Sequence, residues 1–265
     1  MKLLVRGFTL IELVTVMVLL GVLSVGISGF IGIGTQIYVD VTTRDQLISG
    51  ARFAIERLNR DVRTALPNSV RTLNSGQCIE FTPARMSTVY TELSVAPDAA
   101  SDEIKIIRFF DPSLYSDDLE LVVYPLSAAD VYNSTDRRSA IDSLTQNAGT
   151  NEWTINLPSA KQFPEDSPTS RVYFVESPIA YCVTTDALGE NGRLTRHQGY
   201  TGYASGLPNN AGVLMAESLN TQGGAPFVYA SGTRQRNAIV LVNFTFSENF
   251  ESISFNNEIQ VPNVP

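Results

Sequence analysis

The sequence predicts an α+β protein, with one long N-terminal helix packed on a mostly antiparallel sheet. Three observations predict it. Leu13 to Gln36 contains no ionisable side chain, Ile48 to Ala65 places apolar residues at steps of three and four, and beyond Pro67 short β-branched and aromatic runs alternate with turn formers. With 265 residues, 43% of them hydrophobic, the chain can bury a sizeable core, and a mean hydropathy of +0.02 excludes a protein of many membrane spans.

The first element is the apolar run. Leu13 to Gly34 is 22 residues, which as a helix covers roughly 33 Å, about one hydrocarbon core. Lys2 and Arg6 precede it and the next charge is Asp40, so the N-terminus is expected in the cytoplasm and the body across the membrane. A cleavable secretory signal has an apolar region of only ~7–15 residues and a small-residue cleavage site; here the one candidate is Gly32-Ile33-Gly34. A plain anchor explains the length. Neither explains Glu12, because a carboxylate inside such a segment costs on the order of 2–3 kcal/mol and calls for a partner.

Arg6-Gly7-Phe8-Thr9-Leu10-Ile11-Glu12-Leu13 resembles the class III signal of type IV pilins and type II secretion pseudopilins. The resemblance covers about thirty residues and implies that a prepilin peptidase cuts after Gly7 and methylates the new N-terminus, Phe8. It also implies that the apolar segment stays on the mature protein, and that Glu12 meets the Phe8 amine of an adjacent subunit. Such a pair relieves the desolvation of both charges. Many major pilins carry proline where this chain has Gly29; Gly26, Gly29 and Gly32 are expected to weaken the helix locally instead. Ser24, Ser28 and Gly32, four apart, form a small-residue face suited to close helix packing.

The helix continues to residue 66. Ile48, Ala51, Ile55, Leu58, Val62 and Ala65 give one apolar stripe, and Pro67 with Asn68 stops it. The other faces carry Arg44, Arg52, Arg57, Arg60 and Arg63 beside Asp40, Asp45, Glu56 and Asp61, a near-neutral set that reads as a solvated face. The organisation is therefore a leader at 1–7, a membrane and polymerisation helix at 8–36, its amphipathic continuation at 37–66 and a β-rich body at 67–265. Strands are expected at Cys78–Thr82, Ile104–Phe109, Leu119–Tyr124, Trp153–Leu157, Arg171–Val175, Ile179–Thr184, Arg193–Arg196, Ala238–Phe246 and Ile253–Val261, with a hairpin turn at Leu188–Gly192. Segments 127–151 and 198–226 read as long loops, and no second domain boundary is evident. Ala65–Arg71, Tyr181–Val183 and the ending Ile259–Pro265 are similar to minor pilins, in particular the large minor pilin of the mannose-sensitive haemagglutinin pilus and the related J-type pseudopilin.

Composition excludes more than it suggests. Residues 67–265 hold 12 basic against 22 acidic side chains, a body that repels nucleic acid. One histidine, His197, and two cysteines, Cys78 and Cys182, cannot supply a His- or Cys-based metal centre. Acid pairs, or Ser205 or Ser231 with His197, have no motif around them that marks an enzyme. No catalytic residue, cofactor or metal is expected. The acidic groups Asp98, Asp102, Glu103; Asp117, Asp118, Glu120; and Asp186, Glu190, Asn191 are candidate Ca²⁺ ligands without the EF-hand spacing. In an oxidising compartment Cys78 and Cys182 are expected to pair, the alternative being two buried thiols.

The expected function is non-catalytic: a single-pass inner-membrane protein whose periplasmic body joins a pilus at the cell surface. Its partners would be other pilins and minor pilins through the helix, the prepilin peptidase and the inner-membrane assembly platform. The bulky body suits a minor subunit at the tip or in the initiating complex. Two other functions fit the same sequence: a type II secretion pseudopilin, and a tip adhesin whose loops, with Tyr200 and Tyr203, stack on a sugar.

Overall fold

The computed structural model describes residues 9–109, 111–147, 149–200, 208–232, 236–248 and 251–261. Helix α1 (Leu10–Arg63) runs for 54 residues, roughly 80 Å at the ordinary rise per residue. It passes through Gly26, Gly29 and Gly32 as uninterrupted α-helix, so the local weakening expected there does not break it. Every described residue from Thr9 to Val39 is exposed.

Further along, Thr43, Leu47, Ala51, Ala54, Leu58, Asp61 and Val62 are buried, at the three-and-four spacing of an amphipathic helix. The stripe therefore turns slightly from the expected one. Ala51, Leu58, Val62 and, past the helix end, Ala65 lie in it, whereas Ile48 and Ile55 sit at its margin. The helix stops before Pro67, whose ring disfavours a helical residue ahead of it, and Asn68 takes a left-handed φ of 61°.

Fifteen strands form among the described residues: β1 (Arg71–Leu73), β2 (Cys78–Phe81), β3 (Ala84–Glu92), β4 (Ser101–Ile107), β5 (Glu120–Val123), β6 (Arg138–Ala140), β7 (Ser143–Gln146), β8 (Glu152–Lys161), β9 (Arg171–Val175), β10 (Ile179–Thr184), β11 (Gly192–Gln198), β12 (Val213–Asn220), β13 (Phe227–Ala230), β14 (Ala238–Glu248) and β15 (Glu251–Val261). They make two sheets. The first has the order β1-β2-β10-β11-β12-β14-β13, with β15 paired along the other edge of β14; the second has the order β6-β5-β9-β3-β4-β8-β7. All pairings between these strands are antiparallel.

The second sheet is contiguous in sequence. Residues 84–175 leave the first sheet at β2 and return at β10, strands that pair with each other. The undivided body expected from sequence is thus one sheet carrying another as an insertion, each with its own core. The first core joins the α1 stripe to Phe81, Tyr181, Val240, Phe244 and Ile259, and includes no residue of 84–175. The second is built around Ile106, Phe109, Trp153, Phe163 and Phe174 and lies wholly within the insertion. Phe109 sets its ring edge against both Trp153 and Phe174, at centroid distances of 5.3 and 4.9 Å. Helix α1 lies over β12, β14 and β15 of the first sheet.

The strands expected from sequence are present with small shifts of their ends, and Leu188–Gly192 does turn β10 into β11. The two expected loops are corrected. Segment 127–151 contains a short helix, α2 (Ala128–Tyr132), together with β6 and β7, and 198–226 contains β12. The α2 start is set by Asp130, which accepts the backbone N–H of Ser127 at 2.9 Å. Strands β6, β7 and β12 are polar on one face and lie at a sheet edge or beside register shifts, which masks a simple alternation.

Candidate assembly helix and its anchorage

Gly7 and Phe8, the expected processing positions, lie outside the described residues. Thr9, the first described residue, sits in extended conformation ahead of α1 while its carbonyl accepts the N–H of Leu13 at 3.2 Å. Glu12 occupies the first helical turn, where a carboxylate is favoured by the unpaired N–H groups and the helix dipole. Glu12 is exposed and stands among exposed apolar side chains, Leu10 at 82% and Phe30 at 78% being the extremes. No described residue of the body covers this surface.

The polar side chains of the apolar run are arranged for a medium without water. Thr15 donates to the carbonyls of Ile11 and Glu12, Ser24 to Leu20, Ser28 to Ser24, and Thr35 to Ile31 and Gly32, at 2.7–3.1 Å. Each hydroxyl is satisfied within its own helix, the condition for entering hydrocarbon. A methyl group added at Gly21, Gly26, Gly29 or Gly32 meets no atom within 4 Å, so this chain's own fold does not demand the small residues. They are notches on a helix surface with no described residue beside them.

At the other end α1 is locked to the first sheet. Asp61, on the buried stripe, accepts the Tyr181 hydroxyl at 2.8 Å and the Arg196 Nε–H at 2.7 Å, and its other oxygen lies 3.1 Å from Arg57 Nε without the alignment of a hydrogen bond. Burial, then the Asp61 carboxylate, holds the Tyr181 phenol above the ordinary tyrosine range. Asp61, expected on the solvated face, is instead buried, because it continues the spacing of Leu47, Ala51, Ala54 and Leu58 on the face turned to the sheet. Tyr181 and Arg196, over a hundred residues away, carry no sign of it in the sequence.

Cys78 and Cys182 face each other across β2 and β10 and form a disulfide, with Cα atoms 4.1 Å apart. Beside it Tyr200 is buried and donates its hydroxyl to Glu80, a fully buried carboxylate that also pairs with Arg71. The sugar-stacking role expected of Tyr200 is therefore corrected: the ring is part of the interior. Tyr203 and Ser205 lie outside the described residues.

The remaining candidates are not brought together. His197 is half-buried, with Nε2 against the Thr195 hydroxyl at 2.9 Å and Nδ1 against the Asn210 carbonyl at 3.1 Å. Asp186 accepts the backbone N–H groups of Leu188 and Glu190 and the Asn191 amide, bonds that hold its carboxyl below the usual range and shape the hairpin turn. Among the described residues no group of three or more His, Cys, Asp or Glu side chains is placed to hold a metal ion, so the three acidic groups do not assemble as Ca²⁺ sites.

Residues 4–28 match the prokaryotic N-terminal methylation motif. No curated protein and no solved structure matches the chain. Residues 4–28 include Gly7, Phe8 and Glu12, and α1 is long and apolar enough to cross a membrane near the N-terminus. The methylation motif, the uncovered apolar helix and the antiparallel body together support a component of the pilin and pseudopilin type.

Proposed function

We propose that the chain is a minor subunit of a type IV pilus, of the kind found in the mannose-sensitive haemagglutinin pilus, and that it has no catalytic step of its own. In this reading residues 1–7 are a leader removed after Gly7, Phe8 becomes the methylated N-terminus, and residues 8–36 hold the protein in the inner membrane before polymerisation. Residues 37–66 then carry the periplasmic body, 67–265. Its partners are the prepilin peptidase, the assembly platform and companion subunits bundled through α1.

The observation that carries the proposal is the uncovered first half of α1, with every described residue from Thr9 to Val39 exposed and Glu12 its one acid. A carboxylate among apolar side chains, with no partner among the described residues, fits a partner amine on a neighbour. Either charge alone is costly in hydrocarbon, and the pair less so. A place at the filament end is supported by the insertion. Its entry strand joins the far end of α1, where Ala84 donates to the Thr64 carbonyl and Leu66 packs with Val122, Tyr132 and Tyr173. Bulk in that position stands where a subunit stacked above would sit.

Glu12→Val and Glu12→Gln test the reading. Both variants are expected to be inserted and cleaved normally, and neither should join its companion subunits. Normal co-purification with them and wild-type piliation would refute the role given to Glu12. A type II secretion pseudopilin shares this mechanism; loss of surface filaments on deletion supports the pilus, and loss of protein secretion with filaments intact overturns it.

A further inference from the structure

We infer that the Cys78–Cys182 disulfide is a clamp that uncouples the opening of the inserted sheet from the sheet that holds α1. The topology carries this. Residues 84–175 form the whole second sheet, and both of their connections pass through one neck. At that neck Ala84 and Val175 are the first pair of the insertion and Phe81 and Ile179 the last pair of the first sheet. Only Thr82 and Pro83 lie between on one strand, and Glu176 to Pro178 on the other. Cys78 and Cys182 are the pair three positions deeper in the first sheet.

The two large cores share no residue, and the apolar contact between them is confined to the cluster around Leu66. Across the neck run one small apolar cluster, Leu66 with Val122, Tyr132 and Tyr173, and a few polar contacts: Asn68 to the Pro125 carbonyl, Thr82 to the Tyr132 hydroxyl, and the Arg71 guanidinium over the Tyr132 ring. Strand β2 is weak by itself. It has four residues, held by β1 with three residues and by β10.

When the insertion opens, β2 and β10 become the two ends of a long flexible loop. Without the disulfide, the four residue pairs of β2 and β10, with the packing of Ile79 and Phe81, must then close that loop. With the disulfide formed, closure is covalent, and opening stops at Cys78 and Cys182. The oxidised protein can therefore lose the fold of its insertion while α1 stays docked. Without the disulfide the opening runs into β2 and β10, and from there toward Tyr181 and its bond to Asp61.

Native-state hydrogen exchange of the purified full chain in detergent tests this, comparing oxidised protein with the Cys78→Ser, Cys182→Ser double variant. In the oxidised protein the β8 and β9 amides should exchange through their own opening, with β2 and β10 protected separately. In the double variant β2 and β10 should fall to the insertion's rate, a loss on the order of a thousandfold for a loop of this length. Separate, slower exchange of β2 and β10 in the double variant would overturn the inference. So would an oxidised protein whose insertion exchanges together with β14 and β15 as one unit, a result that needs no variant to fold.

Discussion

Removing the Asp61 carboxylate should release the end of α1 from the first sheet. In Asp61→Ala the Arg196 guanidinium, whose side chain is only 13% exposed, loses a charge-assisted hydrogen bond of about 1.5–3 kcal/mol. The fully buried Tyr181 loses the acceptor of its hydroxyl, another ~1–3 kcal/mol. Arg57, 42% exposed, regains water and adds little, ~0–1 kcal/mol. The expected cost is about 3–5 kcal/mol, the range for a broken buried ion pair, which for a body of this size lowers the midpoint of thermal unfolding by roughly 10 °C. Circular dichroism of the purified chain in detergent measures it. Arg193→Ala is the control, since its pair with Glu217 is more than half exposed on both sides and should cost under ~1 kcal/mol. An Asp61→Ala protein as stable as wild type, or no less stable than Arg193→Ala, would refute the anchoring role.

Two glycine substitutions should act in opposite directions. Gly50 lies inside α1 with open space around it, so Gly50→Ala should stabilise by about 0.5–1 kcal/mol. Gly76 has φ +84° and a Cβ there falls 2.6 Å from the Phe227 carbonyl oxygen, so Gly76→Ala should destabilise by at least ~2 kcal/mol; equal effects from the pair in urea unfolding would contradict both readings. Stability should also fall in alkali. Burial, then Glu80, raises the Tyr200 phenol as burial, then Asp61, raises Tyr181; the unfolded tyrosines release their protons from about pH 10 while the folded ones keep theirs, so the contribution is whole below that value and is lost above it. Unfolding free energies that stay level from about pH 8 to about pH 11 would count against it.

The parts of the fold legible in the sequence are those whose signal is local. Leu13 to Gly34 needs only its own composition to read as a membrane helix, and β10 and β14 are dense enough in β-branched and aromatic residues to read as strands. Strand β3 was hidden because it alternates between half-buried and exposed positions, with Arg85, Ser87, Thr88 and Thr91 among its side chains. The division into two sheets was hidden for another reason. It rests on Ala84 pairing with Val175 and Phe81 with Ile179, and no periodicity within either strand encodes a partner about a hundred residues away. The same holds for the site. Glu12 stands out as a charge where none is tolerated unpaired, whereas Asp61 and Glu80 look like any surface acid until Arg196, Tyr181, Arg71 and Tyr200 are folded against them.

Of all the claims, processing at the N-terminus bears most directly on the proposed function. Cleavage after Gly7 removes Lys2 and Arg6, taking the formal charge from −8 to about −10. It leaves the body untouched. Mass spectrometry of the N-terminal peptide from assembled protein reads the result directly. The expected chain begins at Phe8 and carries one methyl group on its amine. A peptide that still contains Met1 or Lys2, or one that begins beyond Glu12, would contradict it.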